Sequence, residues 1–180
     1  MVAVQTIDES GLPPDIEASI RRMLAVCFPK DAPFFSQSRA WHGSAPSFSA
    51  VAVDGDRVIA HAGVVQRRIT VGGVPLDVAG IQNVAVLPEH RGKGLCRRML
   101  ARAMDAAFRR GLDCGLLFCE TQSVPLYARC GWRKLPDRPV VRVDSDGLEK
   151  PLPQGNLPMW CPLAKQSFPA GPVHLRGNDW

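Results

Sequence analysis

The sequence predicts a mixed α/β fold in which a central, mostly antiparallel sheet is flanked by helices. Three observations carry that reading. Apolar runs rich in Val and Ala follow one another from Phe48 to Leu87, separated by short glycine turns. Segments 16–28 and 95–110 repeat apolar residues at helical spacing. The length, 180 residues, suits one domain and lets the chain bury a core without disulfides or metal.

The first helix is expected over Ile16 to Phe28. Ile16, Ile20, Met23, Leu24 and Cys27 share one face, and Pro29 stops it. Residues 29–47 carry no period; Phe34, Phe35 and Trp41 there are expected to pack or line a pocket. Phe48–Val53, Arg57–Val71 and Val74–Leu87 read as strands of an antiparallel meander, turned at Asp54-Gly55-Asp56 and Gly72-Gly73 and closed by Pro88. Leu95–Arg110 is the second helix, ended by Gly111. Leu116–Cys119 is a short fourth strand, and Val124–Arg129 a short helix before Cys130-Gly131. Residues 136–172 are rich in proline, with Val140–Val143 and Met159–Leu163 as strand candidates. We read 136–180 as a covering or substrate-side segment of one domain spanning 1–180.

Composition narrows the function. The net charge of +5 fits a polyanionic partner, but the densest basic cluster occupies one turn and the helix after it, the scale of a nucleotide cofactor. No basic face interleaved with aromatics suggests nucleic acid, and no run of about 18 apolar residues suggests a membrane span. The first residues lack a basic region and a long apolar stretch, so no secretory leader is expected. The six cysteines form no Cys-x-x-Cys pair and stand without a His cluster. They read as reduced, mostly buried thiols of a cytoplasmic protein, without a metal site.

The chemistry concentrates in Asn83-Val84-Ala85-Val86-Leu87-Pro88-Glu89-His90-Arg91-Gly92-Lys93-Gly94-Leu95-Cys96. An apolar strand feeds a glycine turn that opens a helix. The unpaired N–H groups and dipole of that helix start make an anion site, which glycines let an anion approach. Arg91, Lys93, Arg97 and Arg98 add charge nearby. Neither a Walker P-loop nor a Gly-x-Gly-x-x-Gly fingerprint is present.

Arg91-Gly92-Lys93-Gly94-Leu95-Cys96 resembles the Arg/Gln-x-x-Gly-x-Gly/Ala signature of the GNAT superfamily of N-acetyltransferases. Asn83-Val84-Ala85-Val86-x-Pro resembles its acetyl-CoA strand, and Leu126-Tyr127-Ala128-Arg129-Cys130-Gly131-Trp132 its Leu-Tyr-x-x-x-Gly-Phe/Trp element. The likeness covers about residues 15–135. Cys96 departs from the usual Gly or Ala, and Glu120 and Ser123 from the usual Asn and Ala. Val58 to Arg68 and the terminal Arg176-Gly177-Asn178-Asp179-Trp180 are similar to aminoglycoside 2'-N-acetyltransferases. Ser38-Arg39-Ala40-Trp41 is similar to nodulation-type N-acyltransferases.

The resemblance implies a GNAT-like acetyltransferase that moves an acetyl group from acetyl-CoA to a primary amine of a small molecule by direct attack in a ternary complex. Val84, Ala85 and Val86 would hold the pantetheine, and the amides of Arg91, Gly92, Lys93, Gly94, Leu95 and Cys96 the pyrophosphate. A backbone N–H near Val84 would stabilise the oxyanion. Tyr127 would be the general acid to the leaving thiolate, with the Trp180 carboxylate or Glu120 deprotonating or positioning the amine. Gln82 stands where the 2' enzymes carry an acid near the substrate. Asp31, with Asp137, Asp144, Asp146, Glu149 and Asp179, supplies carboxylates for a polycationic acceptor. A longer acyl donor with an amino-sugar acceptor, and a non-catalytic CoA binder, stay open, as does a homodimer. His61, mid-strand among apolar residues, reads as a core histidine.

Overall fold

The structure, a computed structural model, describes residues 2–180. In chain order the elements are β1 (Val4–Asp8), α1 (Pro14–Cys27), α2 (Ala32–Phe35), β2 (Phe48–Asp54), β3 (Arg57–Val71), β4 (Val74–Val86), α3 (Leu95–Arg109), β5 (Cys114–Glu120), α4 (Val124–Arg129), β6 (Arg133–Lys134), β7 (Val140–Val143), β8 (Glu149–Pro151), β9 (Asn156–Pro162) and β10 (Val173–His174). The strands form one sheet in the order β6-β9-β5-β4-β3-β10-β7-β8. The edge of β3 away from β4 is shared: β2 pairs with its first half and carries β1, while β10 takes its end. Only β4–β5 and β10–β7 are parallel among the described strands.

Local chemistry explains the helix bounds. Proline opens α1, Asp15 and Glu17 sit at the positive end of its dipole, and Pro29 follows its last turn. Its apolar face, with Ile20 and Leu24 fully buried, packs on Val51, Ile59 and Leu87. Each such aliphatic side chain contributes about 1.5–3 kcal/mol on leaving water. Helix α3 starts after Gly94, whose φ of +73° is left-handed. Leu100, Ala103 and Ala107 of α3 press against Phe48, Ala50 and Ile81 on the other sheet face.

Besides a register shift between Ala52 and Val53 on β2, the sheet departs from regularity on both edges of β4. Toward β5, Val78–Ile81 pairs with Cys114–Leu117, and there the pairing stops. From Phe118 onward β5 continues only with β9, so the two central strands splay apart. Toward β3, the register shifts between His61–Ala85 and Gly63–Gln82, so Ala62 faces both Asn83 and Val84. This is a β-bulge, and Asn83 within it adopts a left-handed φ of +51°.

The C-terminal third differs from the expectation in part. The strand expected at Val140–Val143 is β7, and the segment is more than a cover: β8, β9 and β10 also join the sheet, and β9 pairs along all of β5. Prolines at 158 and 162 mask its alternation, and it begins at Asn156 rather than Met159. Strand β5 likewise starts at Cys114, and β1 had no expected counterpart.

Candidate active site

The splay opens a cavity of about 870 Å³. One wall is the β4 edge, Gln82 to Val86, freed by the divergence of β5. A second comes from the turn into α3 and from α4: Arg91, Gly92, Gly94, Leu95, Cys96, Arg97, Tyr127, Arg129 and Cys130. The third is aromatic and comes from the α1–α2 region, with Phe28, Phe35 and Trp41 beside Asp31. Phe118, Glu120 and Trp180 also line the cavity. The residues expected to hold the cofactor, the amine and the proton thus meet in one pocket, apart from Lys93. Its ammonium folds back to the Glu89 carbonyl at 3.2 Å. Arg98 also turns away, to the Val2 carbonyl.

The turn is built for an anion. Gly92 and Gly94 have φ of +75° and +73°, and a side chain added at either would meet nothing within 4 Å. The first helical-type bond of α3 is Arg98 N–H to Gly94 O. The amides from Gly92 to Arg97 find no backbone acceptor among the described residues. Arg97 and Arg129 line the same wall, and Arg91 is pinned by its Nε to the Val86 carbonyl at 3.0 Å. Arg129 escaped the sequence reading because it lies far along the chain from the glycine turn, on α4 beyond α3 and β5. Unpaired amides, open space and flanking guanidiniums fit a pyrophosphate.

Tyr127, the only tyrosine, packs its ring edge-on to Trp132 at 6.5 Å and donates its hydroxyl to no described residue. Burial, then the neighbouring Cys96, Cys119 and Cys130, push its pKa well above the ordinary phenol value. Burial likewise pushes the Cys96 thiol up to about 11. All six cysteines are free thiols.

The remaining candidates divide. Asp31 lines the pocket without an ion pair among the described residues. Glu120 lies on the exposed rim, its Oε2 accepting from Gln122 Nε2 at 2.5 Å. Gln82 is 3% exposed; its Nε2 donates to the Ser44 carbonyl at 2.8 Å, while its Oε1 is buried without a partner. The Trp180 indole is buried, donating from Nε1 to the Leu116 carbonyl at 3.3 Å. It lies so close over Gly80 that a Cβ there would fall 2.3 Å from the ring. The other acids do not reach the cavity. Asp144 and Asp146 pair with Lys150, and Asp179 is buried against His42 Nδ1 at 3.0 Å, with Arg142 at 3.7 Å. Asp137 and Glu149 are also absent from its lining.

Comparison with known proteins follows this geometry. The profile of the acetyltransferase (GNAT) domain matches residues 14–135, more than half of the chain. The chain belongs to the GNAT acetyltransferase family. Like other GNAT folds it matches a GNAT family N-acetyltransferase (YhbS) from Escherichia coli in complex with CoA, with a TM-score of 0.68 at 17% identity over 97% of this chain and 89% of that one. It also matches a GNAT acetyltransferase from Brucella melitensis in complex with acetyl-CoA, with a TM-score of 0.60 at 18% identity over 95% and 94%. At such identities the likeness is one of fold. In sequence this GNAT chain is similar to nodulation protein A of Sinorhizobium terangae, 41% identical over 61 residues, 34% of this chain and 31% of that protein. Nodulation protein A of Bradyrhizobium elkanii is 37% identical over 65 residues, 36% and 31%. The chain spans about a third of the length of these curated relatives. No helix among the described residues is long and apolar enough to cross a membrane.

Proposed function

We propose that the protein transfers an acetyl group from acetyl-CoA to a primary amine of a small molecule. One observation carries the reading: an unsatisfied amide cradle, a freed strand edge and a lone, partly buried tyrosine share one cavity. Acetyl-CoA supplies an activated thioester whose carbonyl carbon takes the amine. The amides from Gly92 to Arg97, with Arg97 and Arg129, bind its pyrophosphate. Backbone groups of Val84 and Val86 hold the pantetheine arm as a further strand would. Both substrates sit in one cavity, so proximity lowers the barrier.

The Val84 N–H takes the charge that builds on the carbonyl oxygen as the C–N bond forms. The proton the amine sheds passes to Glu120 or to the Trp180 carboxylate, with Asp31 in the same lining to hold the cationic amine. As the C–S bond breaks, Tyr127 gives its proton to the sulfur. Its raised pKa does not count against this role. The desolvation that raises the phenol also raises the Cys96 thiol in the same wall, so a thiolate released there is a stronger base than in water. The unpartnered Oε1 of Gln82 is an acceptor for a donor on the acceptor substrate.

The first acceptors to test are aminoglycoside-like polyamines, favoured by the likeness of the Val58–Arg68 strand. Amino sugars with a longer acyl donor come second, favoured by the nodulation protein A relatives and the aromatic wall of Phe28, Phe35 and Trp41. The test is thiol release from acetyl-CoA and acyl-CoA over a panel of amines. Turnover on one class supports the reading. Calorimetric binding of acetyl-CoA with no turnover on any amine or donor would replace it with a non-catalytic CoA binder.

A further inference from the structure

His61 lies outside the cavity and is wholly buried, yet it is not a bystander of the core. Its Nδ1 is 2.9 Å from the Asn83 carbonyl, on the bulge where β4 leaves its register. Burial pushes its pKa down to about 3, so the ring is neutral, and a carbonyl only accepts. The proton therefore sits on Nδ1, which donates. On the other side of the ring, Nε2 packs 3.2 Å from Ser49 Oγ, a contact rather than a hydrogen bond because the single Ser49 proton goes to Glu9. Ser49 donates to Glu9 Oε1 at 2.7 Å, and Glu9 is paired with the buried guanidinium of Arg39. The Arg39 carbonyl in turn accepts from Asn83 Nδ2 at 2.9 Å. These contacts close a ring: His61, Asn83, Arg39, Glu9, Ser49 and His61 again. Both ends of the ring grip Asn83, by its carbonyl and by its side chain.

Burying an arginine and a histidine beside a partly exposed glutamate is costly unless the geometry is fixed. What this ring fixes is one peptide unit. The bond from Asn83 to Val84 is trans, as no cis peptide occurs among the described residues. In a trans peptide the C=O and N–H point opposite ways. The Val84 N–H is thus directed away from His61, and no described residue accepts from it outside the sheet pairing that the bulge has broken. Val84 lines the cavity and His61 does not.

We propose that His61 is a positioning residue that holds the Asn83 carbonyl so that the Val84 N–H, on the far side of the same peptide, faces the thioester oxygen. The inference rests on the acetyl-transfer reading above. His61 touches no reacting atom; it acts through the backbone.

The test compares His61→Leu, which removes the donor, with His61→Asn, whose side-chain N–H₂ occupies nearly the place of Nδ1. With the best amine and acetyl-CoA, kcat of His61→Leu falls about 10²-fold, the scale of one lost oxyanion donor. KM and the calorimetric Kd for acetyl-CoA stay within about threefold. His61→Asn recovers most of the lost kcat. A second readout needs neither amine nor turnover: the infrared stretch of carbonyl-labelled acetyl-CoA. It shifts to lower frequency on binding the wild type and His61→Asn, and returns toward the free value in His61→Leu. Equal losses in both variants, or an unshifted band in the wild type despite turnover, would overturn the proposal. A wild type that binds no acetyl-CoA would overturn the parent reading instead. Should His61→Leu not fold, Ser49→Ala loosens the ring from its far side, and a wild-type kcat with an unchanged band would count against the proposal.

Discussion

Acid should weaken this fold earlier than its carboxylates alone would. His61 is held neutral in the folded state, with its pKa pushed from 6.5 to about 3 by burial. In the unfolded chain it takes up a proton as pH falls through 6.5, while the folded chain takes none until about 3. Between those values the unfolded state binds more protons, so stability falls as pH falls. At pH 5 the unfolded imidazole is favoured by about 1.5 log units, or about 2 kcal/mol at 1.36 kcal/mol per unit. The full effect approaches about 5 kcal/mol near pH 3. Urea denaturation at pH 8 and pH 5, on wild type and His61→Asn, isolates this group. The depressed carboxylates titrate lower, Asp144 being held near 2 first by Lys150, so pH 5 stays above most of their loss. The wild type should lose about 2 kcal/mol more than the variant between the two pH values. Equal losses would mean that His61 is charged or solvated in the native state, and the tautomer argument would fall with it.

Other outcomes follow from the cavity. Tyr127→Phe should lower kcat about 10²-fold with little change in acetyl-CoA affinity by calorimetry, since only the proton donor is lost. Gly94→Asp sets a carboxylate where a pyrophosphate is proposed and strains a φ of +73°; the Kd for acetyl-CoA should weaken at least about tenfold, against a Tm loss of a few degrees. Gly80→Ala drives a methyl into the Trp180 indole, forfeiting its slot and its bond to Leu116; a loss of about 2–3 kcal/mol in urea unfolding is expected. An unaltered midpoint would show that the indole is not held there.

Much of this site was legible because its parts are local. A left-handed glycine before an amphipathic helix announces itself in a few residues, as Gly92 and Gly94 did. So did the α1 face of Ile20, Met23 and Leu24. What was not legible depends on partners far apart in the chain. His61 reads as core on its strand; only the fold brings it to Asn83, with Ser49, Glu9 and Arg39 arriving from three other segments. Asp179 reads as an acid for a cationic acceptor, but burial against His42 and Arg142 removes it from the cavity. The first residues of β9, Asn156 to Pro158, hid behind Pro158, since pairing with β5 tolerates a proline where local propensity does not.

The splay between β4 and β5 has one more consequence. A strand edge in the middle of a sheet is left with its hydrogen bonds unmade. If a pantetheine arm makes them, the last rung of the sheet belongs to the ligand, and the amides of Val84 and Val86 should exchange with solvent quickly until it arrives. Stability then becomes a function of metabolite level: at a hundredfold excess over Kd, the ligand adds about 2.7 kcal/mol to the fold. A cell short of acetyl-CoA would hold this protein in a looser, more readily degraded form.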